Sequence, residues 1–159
     1  MLRKNKIFIV AEAGNNHEGK FKIAKRLIKK AKSCGADAIK FQTFIPDLYV
    51  SRKDSKRFSQ LTKFQLSQQD FKNLAIYAKK LKIIFFSTPF DLKSANFLNR
   101  IQNVFKISSG DSNFKPLLKT VANFNKHIFL STGMTDLKTI KKSKELIFKV
   151  WKKKWKKQK

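Results

Sequence analysis

Residues 35–43 read Gly-Ala-Asp-Ala-Ile-Lys-Phe-Gln-Thr, a short apolar run that follows a helix-like stretch and ends in polar side chains. Four other short apolar runs in the chain also end in a residue able to do chemistry. These junctions are Ile-Val-Ala-Glu12, Phe-Phe-Ser87-Thr88, Phe-Lys106-Ile-Ser-Ser109-Gly-Asp111 and Phe-Leu-Ser131-Thr132-Gly133. Because a helix-like stretch follows each run, the pattern predicts parallel strands that alternate with helices. Such proteins carry their active sites at the carboxyl ends of the strands, so we expect these side chains to gather around one cavity.

Composition limits the class of protein. The 159 residues suffice for one domain with a sizeable core, and 42% of them are hydrophobic. A net charge of +27 invites a nucleic-acid interpretation, but 32 lysines stand against five arginines. Phe, Ile and Asn are also abundant, as an A/T-rich genome would produce, and neither arginine forks nor a recognition motif is visible. We therefore interpret the lysines as solvated helix faces and do not expect nucleic acid as a partner.

The sequence predicts a cytoplasmic protein that does not enter a membrane. No window approaches the roughly 20 apolar residues that cross a bilayer, and Met1–Lys6 contains no apolar signal segment. Cys34 is the single cysteine, which excludes an internal disulfide and fits a reducing compartment. We expect its thiol to be buried and structural.

Hydrophobic periodicity predicts five β/α units in residues 1–150, followed by a lysine-rich, low-complexity tail at 151–159. The predicted strands cover residues 7–11, 38–41, 83–87, 104–107 and 128–130. Helices are expected at 21–34, after a capping box at Ser67–Asp70, after an Asp91 cap, at 117–124 and at 137–150. The connection over residues 43–66 is long enough for a binding loop or lid. The tail reads as a frayed helix end or the product of an altered reading frame.

Taken together, the polar segments resemble a known family. The segments are Ala11-Glu-Ala-Gly-Asn-Asn-His-Glu-Gly19, residues 35–43, Phe86-Ser-Thr-Pro-Phe-Asp91, Lys106-Ile-Ser-Ser-Gly-Asp111 and Leu130-Ser-Thr-Gly-Met134. In order and spacing they resemble the N-terminal catalytic barrel of the sialic acid synthases, including those that make legionaminic and pseudaminic acids. The resemblance spans roughly residues 6–148. It implies a transferase of carbohydrate biosynthesis that condenses phosphoenolpyruvate with an N-acetylmannosamine-type sugar, giving a nine-carbon 2-keto acid and phosphate.

The resemblance also implies roles for individual residues. Phosphoenolpyruvate brings a phosphate and a carboxylate, which lysines and hydroxyl donors bind well. The positions that match the family's phosphoenolpyruvate contacts are Lys40, Thr88, Lys106, Ser109 and Ser131. Glu12 is expected to contact the sugar, with Gln42 and Asp111 nearby, and Glu12 and Asp111 are the candidate catalytic residues. Many relatives have glutamate where Asp111 stands, so its carboxyl reaches less far.

Other conspicuous residues have simpler interpretations. His17 could contact a ligand or stabilise its turn by a hydrogen bond, and we assign no chemistry to His127. Ser87 should point away from Thr88 by strand alternation and serve a structural role. We expect Met134 and the phenylalanines to lie in the core.

The predicted fold class is α/β, a partial TIM-type (β/α) barrel with about five of eight units. The resemblance implies a divalent metal, manganese or magnesium, whose histidine ligands we expect outside this chain. The chain then reads as an N-terminal fragment that is inactive alone and pairs with a complementary C-terminal half or forms a homodimer. Two alternatives stay open: a related barrel that condenses phosphoenolpyruvate with another aldose, and a basic polyanion-binding protein on a half-barrel scaffold.

Overall fold

A computed structural model describes the backbone of residues 7–156 and the side chains of residues 7–154. The expectations for Met1–Lys6 and for Lys157–Lys159 lie outside the described residues. The chain divides into two compact units, Met1–Ser87 and Thr88–Lys159. None of the helices in the described range combines the length and the apolar character that a membrane crossing requires.

The first unit contains a sheet with the strand order β1-β2-β3. Its strands are β1 (Val10–Gly14), β2 (Ala38–Thr43) and β3 (Ile84–Pro89). β1 and β2 run parallel, and Glu12 lies opposite Lys40. The predicted bounds of β1, residues 7–11, are therefore too early, and Glu12 lies within the strand rather than after it. The apolar run predicted too early a start for the strand, because Ile7 and Ile9 are exposed, at 84% and 54%, and do not belong to it.

Four helices complete the first unit: α1 (Phe21–Ser33), α2 (Pro46–Tyr49), α3 (Ser55–Phe64) and α4 (Gln68–Lys80). α1 confirms the predicted helix and buries Ala24, Ile28 and Ala31. Gly35 follows it with a φ of +81°, as is common after a helix C-terminus. Cys34 is exposed rather than buried, which corrects our expectation. It follows the last helical residue, outside the buried stripe.

The long connection after β2 is largely helical, because it contains α2 and α3. The Asp54 side chain caps α3 by accepting a hydrogen bond from the Arg57 backbone N–H, at 3.2 Å. Leu61 and Leu66 are buried and fix the segment to the unit. Hydrophobic periodicity did not predict these short helices, because they contain too few apolar residues to show a helical pattern. The capping box of Ser67, which opens α4, is confirmed.

The second unit holds a parallel pair of strands with helices. Its elements are α5 (Leu92–Leu98), β4 (Val104–Ile107), a 3-10 turn (Ser109–Asp111), α6 (Lys115–Asn123), β5 (His127–Leu130) and α7 (Leu137–Lys156). Val104 of β4 lies opposite His127 of β5. The predicted Asp91 cap of α5 is confirmed by a 2.7 Å hydrogen bond from the Ser94 N–H. Parallel strands therefore alternate with helices in both units, which confirms the α/β class, whereas the number of barrel units stays a prediction.

The core of the second unit forms around α6, which buries Leu117, Leu118 and Val121. The Phe105 ring of β4 lies 5.3 Å from the ring of Phe124. Met134 is 92% exposed, so its assignment to the core is wrong. It follows β5 with a φ of +59°, which turns the chain away from the core. Three phenylalanines are exposed as well: Phe114, Phe129 and Phe148.

α7 extends beyond its predicted end at residue 150 and takes in the first part of the expected tail. The Trp151 Nε1–H donates to the Ala122 carbonyl at 3.1 Å, and Lys154 Nζ donates to the Asn123 carbonyl. Both acceptors lie in the last turn of α6, where carbonyls lack partners within the helix. The helix therefore continues to Lys156, with contacts to α6 from Trp151 and Lys154. The interpretation of the tail as a frayed end or as the product of an altered reading frame stays a prediction.

Candidate functional site

In the first unit, Glu12 and Lys40 occupy register positions on neighbouring strands, and their side chains form an ion pair. The Lys40 side chain is only 13% exposed, whereas the Glu12 side chain is 53% exposed. The ammonium therefore lies near the sheet while the carboxylate reaches toward solvent. This arrangement places a cation and an anion where a polar ligand can reach both.

Gly14 and Gln42 extend this group along the same two strands. A Cβ added to Gly14 would lie 3.4 Å from Glu12 Oε1 and 3.7 Å from Gln42 Nε2. Gln42 is two residues beyond Lys40, so strand alternation places both side chains on one face of β2. The structure thus brings Glu12, Lys40 and Gln42 together, and Gly14 leaves open the space between two of their side chains.

The other face of β2 is occupied by buried groups. Phe41 stacks on Phe85 with ring centroids 5.6 Å apart, and the hydroxyls of Thr43 and Ser87 are hydrogen-bonded at 2.7 Å. Ser87 is completely buried, in agreement with its predicted structural role. This face supports the strands, while the Lys40 face carries the candidate site residues.

His17 stabilises the turn after β1. Its Nδ1 accepts a 3.1 Å hydrogen bond from the Gly19 backbone N–H, and its ring lies 5.9 Å from that of Phe41. Burial lowers the pKa of His17 from 6.5 to about 4, so the imidazole is neutral at pH 7 and carries its proton on Nε2. Within residues 7–156 that Nε2 has no hydrogen-bond partner. The structural interpretation of His17 is confirmed by the bond to Gly19.

In the second unit, Lys106 and Asp111 are electrostatically coupled. Lys106 Nζ donates a 2.7 Å hydrogen bond to the carbonyl of Ile107. Burial raises the pKa of the Asp111 carboxyl, and the positive charge of Lys106 offsets part of that rise. A carboxyl group whose pKa is raised keeps its proton to higher pH than an exposed aspartate does.

Two serines lie close to this pair at the carboxyl ends of β4 and β5. The Ser131 backbone N–H donates to the Ile107 carbonyl at 3.1 Å, which ties the end of β5 to the end of β4. Ser109 begins the 3-10 turn that ends at Asp111. A Cβ on Gly133 would lie 3.9 Å from the Ser109 Cβ, so the segment after β5 lies against that turn.

Thr88, on β3, is 2% exposed. Its Oγ1 is buried without a hydrogen-bond partner in the described part of the chain. Burying a hydroxyl without a partner is unfavourable, so such a group is a natural contact for a ligand.

Most of the predicted site residues thus fall into one group in each unit: Glu12, Lys40 and Gln42 in the first, and Lys106, Ser109, Asp111 and Ser131 in the second. Thr88 lies on β3, where the boundary between the units falls, and its described contacts place it in neither group. That all of them surround one cavity stays a prediction. The functional roles of the individual residues also stay predictions.

Sequence reasoning missed two features of the first group. The predicted strand ends at residue 11 and so excludes Gly14. An isolated glycine near the end of a strand often marks a bulge, and the register between β1 and β2 does shift between Glu12 and Gly14. The buried Thr43–Ser87 pair was missed because no spacing rule links residues on two different strands. Both features support the site rather than enter it.

A divalent metal does not fit the residues that the structure describes. Between residues 7 and 156, no three histidine, cysteine, aspartate or glutamate side chains come close enough to hold an ion. Nδ1 of His17 already accepts a hydrogen bond and Glu12 is paired with Lys40. We therefore derive no step of a reaction through a metal.

Known proteins resemble this chain in sequence and in structure. An uncharacterized protein of Methanocaldococcus jannaschii is 47% identical over 131 residues, which are 82% of this chain and 39% of that protein. N,N'-diacetyllegionaminic acid synthase of Campylobacter jejuni is 39% identical over 91% of this chain and 47% of its own length. The crystal structure of an N-acetylneuraminic acid synthetase from Leptospira borgpetersenii, in complex with citrate, superposes with a TM-score of 0.85 at 28% identity. The match covers 94% of this chain and 55% of that one.

The chain spans less than half the length of these two relatives. The family model described as the NeuB family matches residues 27–158, which include β2 to β5 and the intervening helices. This match covers most of the chain and includes every candidate site residue except Glu12. The protein therefore belongs to the NeuB family.

Proposed function

We propose that this protein supplies substrate-binding residues for the condensation of phosphoenolpyruvate with an N-acetylmannosamine-type sugar, as in sialic acid synthases. Its NeuB family membership and its likeness to N,N'-diacetyllegionaminic acid synthase support the proposal. Because the chain covers 47% of that relative, the activity of a complete protein is part of what is proposed. Such a reaction uses a central metabolite, which favours the cytoplasm as its location.

The Glu12–Lys40 ion pair is the observation that carries the proposal. Family resemblance assigns Lys40 to phosphoenolpyruvate and Glu12 to the sugar. Because their side chains are in contact, the ligands that they bind would be neighbours. A carbon–carbon bond can form only if the enol carbon and the aldehyde carbon approach closely and in the correct orientation. The contact between Lys40, assigned to phosphoenolpyruvate, and Glu12, assigned to the sugar, would bring the two substrates together as this reaction requires.

We assign the phosphate and carboxylate of phosphoenolpyruvate to Lys40, Thr88, Lys106, Ser109 and Ser131. Lysine ammonium groups neutralise the phosphate charge, and hydroxyl groups donate hydrogen bonds to its oxygens. The buried Oγ1 of Thr88 has no partner in the described residues and would gain one from the ligand. Gln42, near Glu12, can donate from its amide to a sugar hydroxyl.

Asp111 is the proposed proton-transfer residue. The reaction joins the enol carbon to the aldehyde carbon while the aldehyde oxygen takes up a proton. Water then adds at the new cationic carbon and releases one proton. The carbon–oxygen bond to phosphate breaks, and the remaining hydroxyl becomes the keto group as its proton passes to the departing phosphate. Burial raises the pKa of Asp111, so this carboxyl holds a proton to higher pH than an exposed aspartate. It can therefore supply the proton that the aldehyde oxygen takes up.

Binding of phosphoenolpyruvate to the purified chain, measured by titration calorimetry, tests the proposal. Lys40→Ala and Lys106→Ala should each weaken binding about tenfold or more, because each removes a charged contact to the phosphate. Lys22→Ala on the exposed surface of α1 is the control and should leave the affinity unchanged. Equal affinities in all four proteins would refute the assignment of the phosphate contacts.

Turnover requires a second experiment, because the chain is shorter than its relatives. Joining it to the part of the Campylobacter jejuni synthase that follows the matched region gives a chimera that can be assayed for phosphate release. With N-acetylmannosamine and with its 2,4-diacetamido counterpart as acceptors, the assay also compares two sugar classes. A soluble chimera that binds phosphoenolpyruvate but condenses it with neither sugar would contradict the proposed reaction.

A further inference from the structure

A basic groove runs between α6 and α7 in the second unit. Its larger part is a cavity of about 720 Å³ lined by residues of both helices. Four lysines line this part, two from α6 and two from α7: Lys115, Lys119, Lys142 and Lys149. Glu145 is the only acidic residue among the described residues of the lining. None of these residues belongs to the proposed substrate contacts.

A smaller cavity of about 440 Å³ continues the groove. It shares Lys119, Leu146 and Lys149 with the larger part and adds Lys153. Lys142 and Lys153 both lie on α7, eleven residues apart, which is about 16 Å along a helix. The groove is therefore long enough for a chain of several charged groups.

The protein leaves the charge of this groove largely uncompensated. Within the described part of the chain, none of the five lysines forms a direct ion pair with an acidic side chain, although Lys142 interacts electrostatically with the nearby Asp136 carboxylate. Lys115 and Lys119 are four residues apart on α6, and Lys149 and Lys153 are four apart on α7. Like charges at this spacing repel each other. The lysine pair of α6 and the lysine pair of α7 both line the groove. An anion in the groove would relieve this repulsion.

The lining also restricts the chemistry of that anion. The described residues that line the groove include no aromatic ring on which a nucleobase could stack and no arginine fork for reading base edges. Besides the lysines it offers the Asn113 amide and the Thr139 hydroxyl, which can donate hydrogen bonds. The hydroxyl of Ser143 already donates to the Ser112 carbonyl at 2.6 Å. Such a lining contacts charged oxygens rather than bases.

From these observations we propose that the α6–α7 groove binds a chain of linked phosphates, such as the triphosphate moiety of a small molecule. Phosphate groups are compact and multiply charged, and lysine ammonium groups bind them as point charges. The proposal does not depend on the substrate assignments above, because it uses other residues. It gives the excess of lysine a local role on one pair of helices.

Calorimetric titration of the full chain with inorganic tripolyphosphate is the decisive test. The groove variant is Lys115→Gln, Lys119→Gln, Lys142→Gln and Lys149→Gln combined. The matched control is Lys22→Gln, Lys29→Gln, Lys72→Gln and Lys79→Gln on α1 and α4, which removes the same charge from exposed sites of another helix pair. The groove variant should bind tripolyphosphate about tenfold more weakly than the control or worse. Equal weakening in both variants would show that only overall charge matters and would overturn the proposal.

Two further arms identify the source of the phosphate chain. In the first arm, ATP replaces tripolyphosphate. If ATP binds as tightly as tripolyphosphate and loses the same affinity in the groove variant, a nucleoside triphosphate is identified as one ligand. If ATP binds much more weakly, inorganic polyphosphate is identified instead. A 20-nucleotide single strand that binds far more tightly than either, and equally in both variants, would indicate non-specific nucleic-acid binding and contradict the proposal.

Folding of the groove variant is checked by its unfolding curve without ligand. Removing like charges should leave its melting temperature unchanged or raise it. The charge-conserving variant Lys119→Arg/Lys149→Arg serves as a second measurement and should retain tripolyphosphate affinity within about threefold. A loss of binding in this arginine variant as severe as in the glutamine variant would point to disturbed packing and would also count against the proposal.

Discussion

Glu12 and Lys40 lie opposite each other in the parallel β1–β2 pair and join their side chains in an ion pair. Half of the Glu12 side chain is exposed to solvent. Water that reaches Glu12 and the cost of desolvating the largely buried Lys40 ammonium both offset the attraction, so the pair contributes little net stability. The contact is therefore better suited to arranging ligand-binding groups than to holding the two strands together.

Breaking this pair should affect folding differently from the two sides. We expect Lys40→Met to change the free energy of unfolding by about 1 kcal/mol or less, because an apolar side chain replaces a largely buried ammonium, whereas Glu12→Gln leaves that ammonium without its carboxylate and should cost about 1–2 kcal/mol. Urea denaturation followed by circular dichroism measures this directly. The Lys40 variant should still lose affinity for phosphoenolpyruvate. If either variant unfolded with a loss of about 3 kcal/mol, the pair would be a structural element, and its assignment to ligand binding would lose its main support.

His17 should make stability depend on pH. Its pKa falls from 6.5 in the unfolded chain to about 4 in the fold because the imidazole is buried. Between these values the unfolded state binds more protons, so stability falls as the pH is lowered from 6.5 toward 4. The shift corresponds to about 3 kcal/mol over that window.

The variant His17→Phe retains a ring against Phe41 but cannot titrate. It loses the acceptor for the Gly19 N–H, so it should be less stable at pH 7 by about 1–2 kcal/mol. The difference in unfolding free energy between the two proteins should close and then reverse as the pH is lowered toward 4, because the loss of about 3 kcal/mol exceeds the initial advantage. Urea midpoints from pH 7.5 to pH 4 would reveal this. A gap that stays constant across the range would mean that His17 does not titrate as a buried group.

The sequence was sufficient for the parts of the fold that depend on local patterns. The apolar stripe of α1, the Ser67 capping box and the Asp91 cap all lie within a few residues of chain, and the structure confirms each. β4 also has its predicted bounds, residues 104–107. Short-range signals of this kind follow from helix and strand periodicity and from the chemistry of helix ends.

Features that depend on tertiary contacts were not predictable in the same way. β1 was placed three residues early because an apolar run does not show where its partner strand begins. The exposure of Met134 and Cys34 depends on what packs around them, which residue type alone does not reveal. Of the candidate site, sequence could select Glu12, Lys40 and Gln42, but their contacts required the register of β1 against β2.

Two glycines with similar backbone conformations should respond differently to substitution. Gly19 has a φ of +75°, and a Cβ there would lie 2.1 Å from the Lys63 carbonyl oxygen. Gly35 has a φ of +81°, but a Cβ there would meet no atom within 4 Å. At both positions, alanine in this left-handed backbone conformation costs about 1–2 kcal/mol. Only at Gly19 does it also collide with backbone.

We therefore expect Gly19→Ala to destabilise the protein by about 3–5 kcal/mol, and Gly35→Ala by about 1 kcal/mol. Chemical denaturation of both variants under the same conditions gives the comparison, with Gly35→Ala as the control for backbone strain. Similar losses in the two variants would show that α3 moves away easily from the turn after β1. In that case α3 would not fix this turn beside Glu12.

Trp151 provides a test of whether the end of α7 belongs to the fold. Its Nε1–H donates to the Ala122 carbonyl, and its ring lies 5.5 Å from the Phe148 ring in an edge-to-face arrangement. Trp151→Phe keeps an aromatic ring but removes the hydrogen bond, so it should lower the free energy of unfolding by about 1 kcal/mol. Trp151→Ala also removes the ring contacts and should lower it by about 2–3 kcal/mol.

Lys152→Ala, on the exposed side of the helix, is the matched control and should stay within about 0.5 kcal/mol of the unmodified protein. Thermal and urea unfolding of the three variants would measure the series, and a Trp151→Ala variant as stable as the control would mean that α7 frays before residue 151.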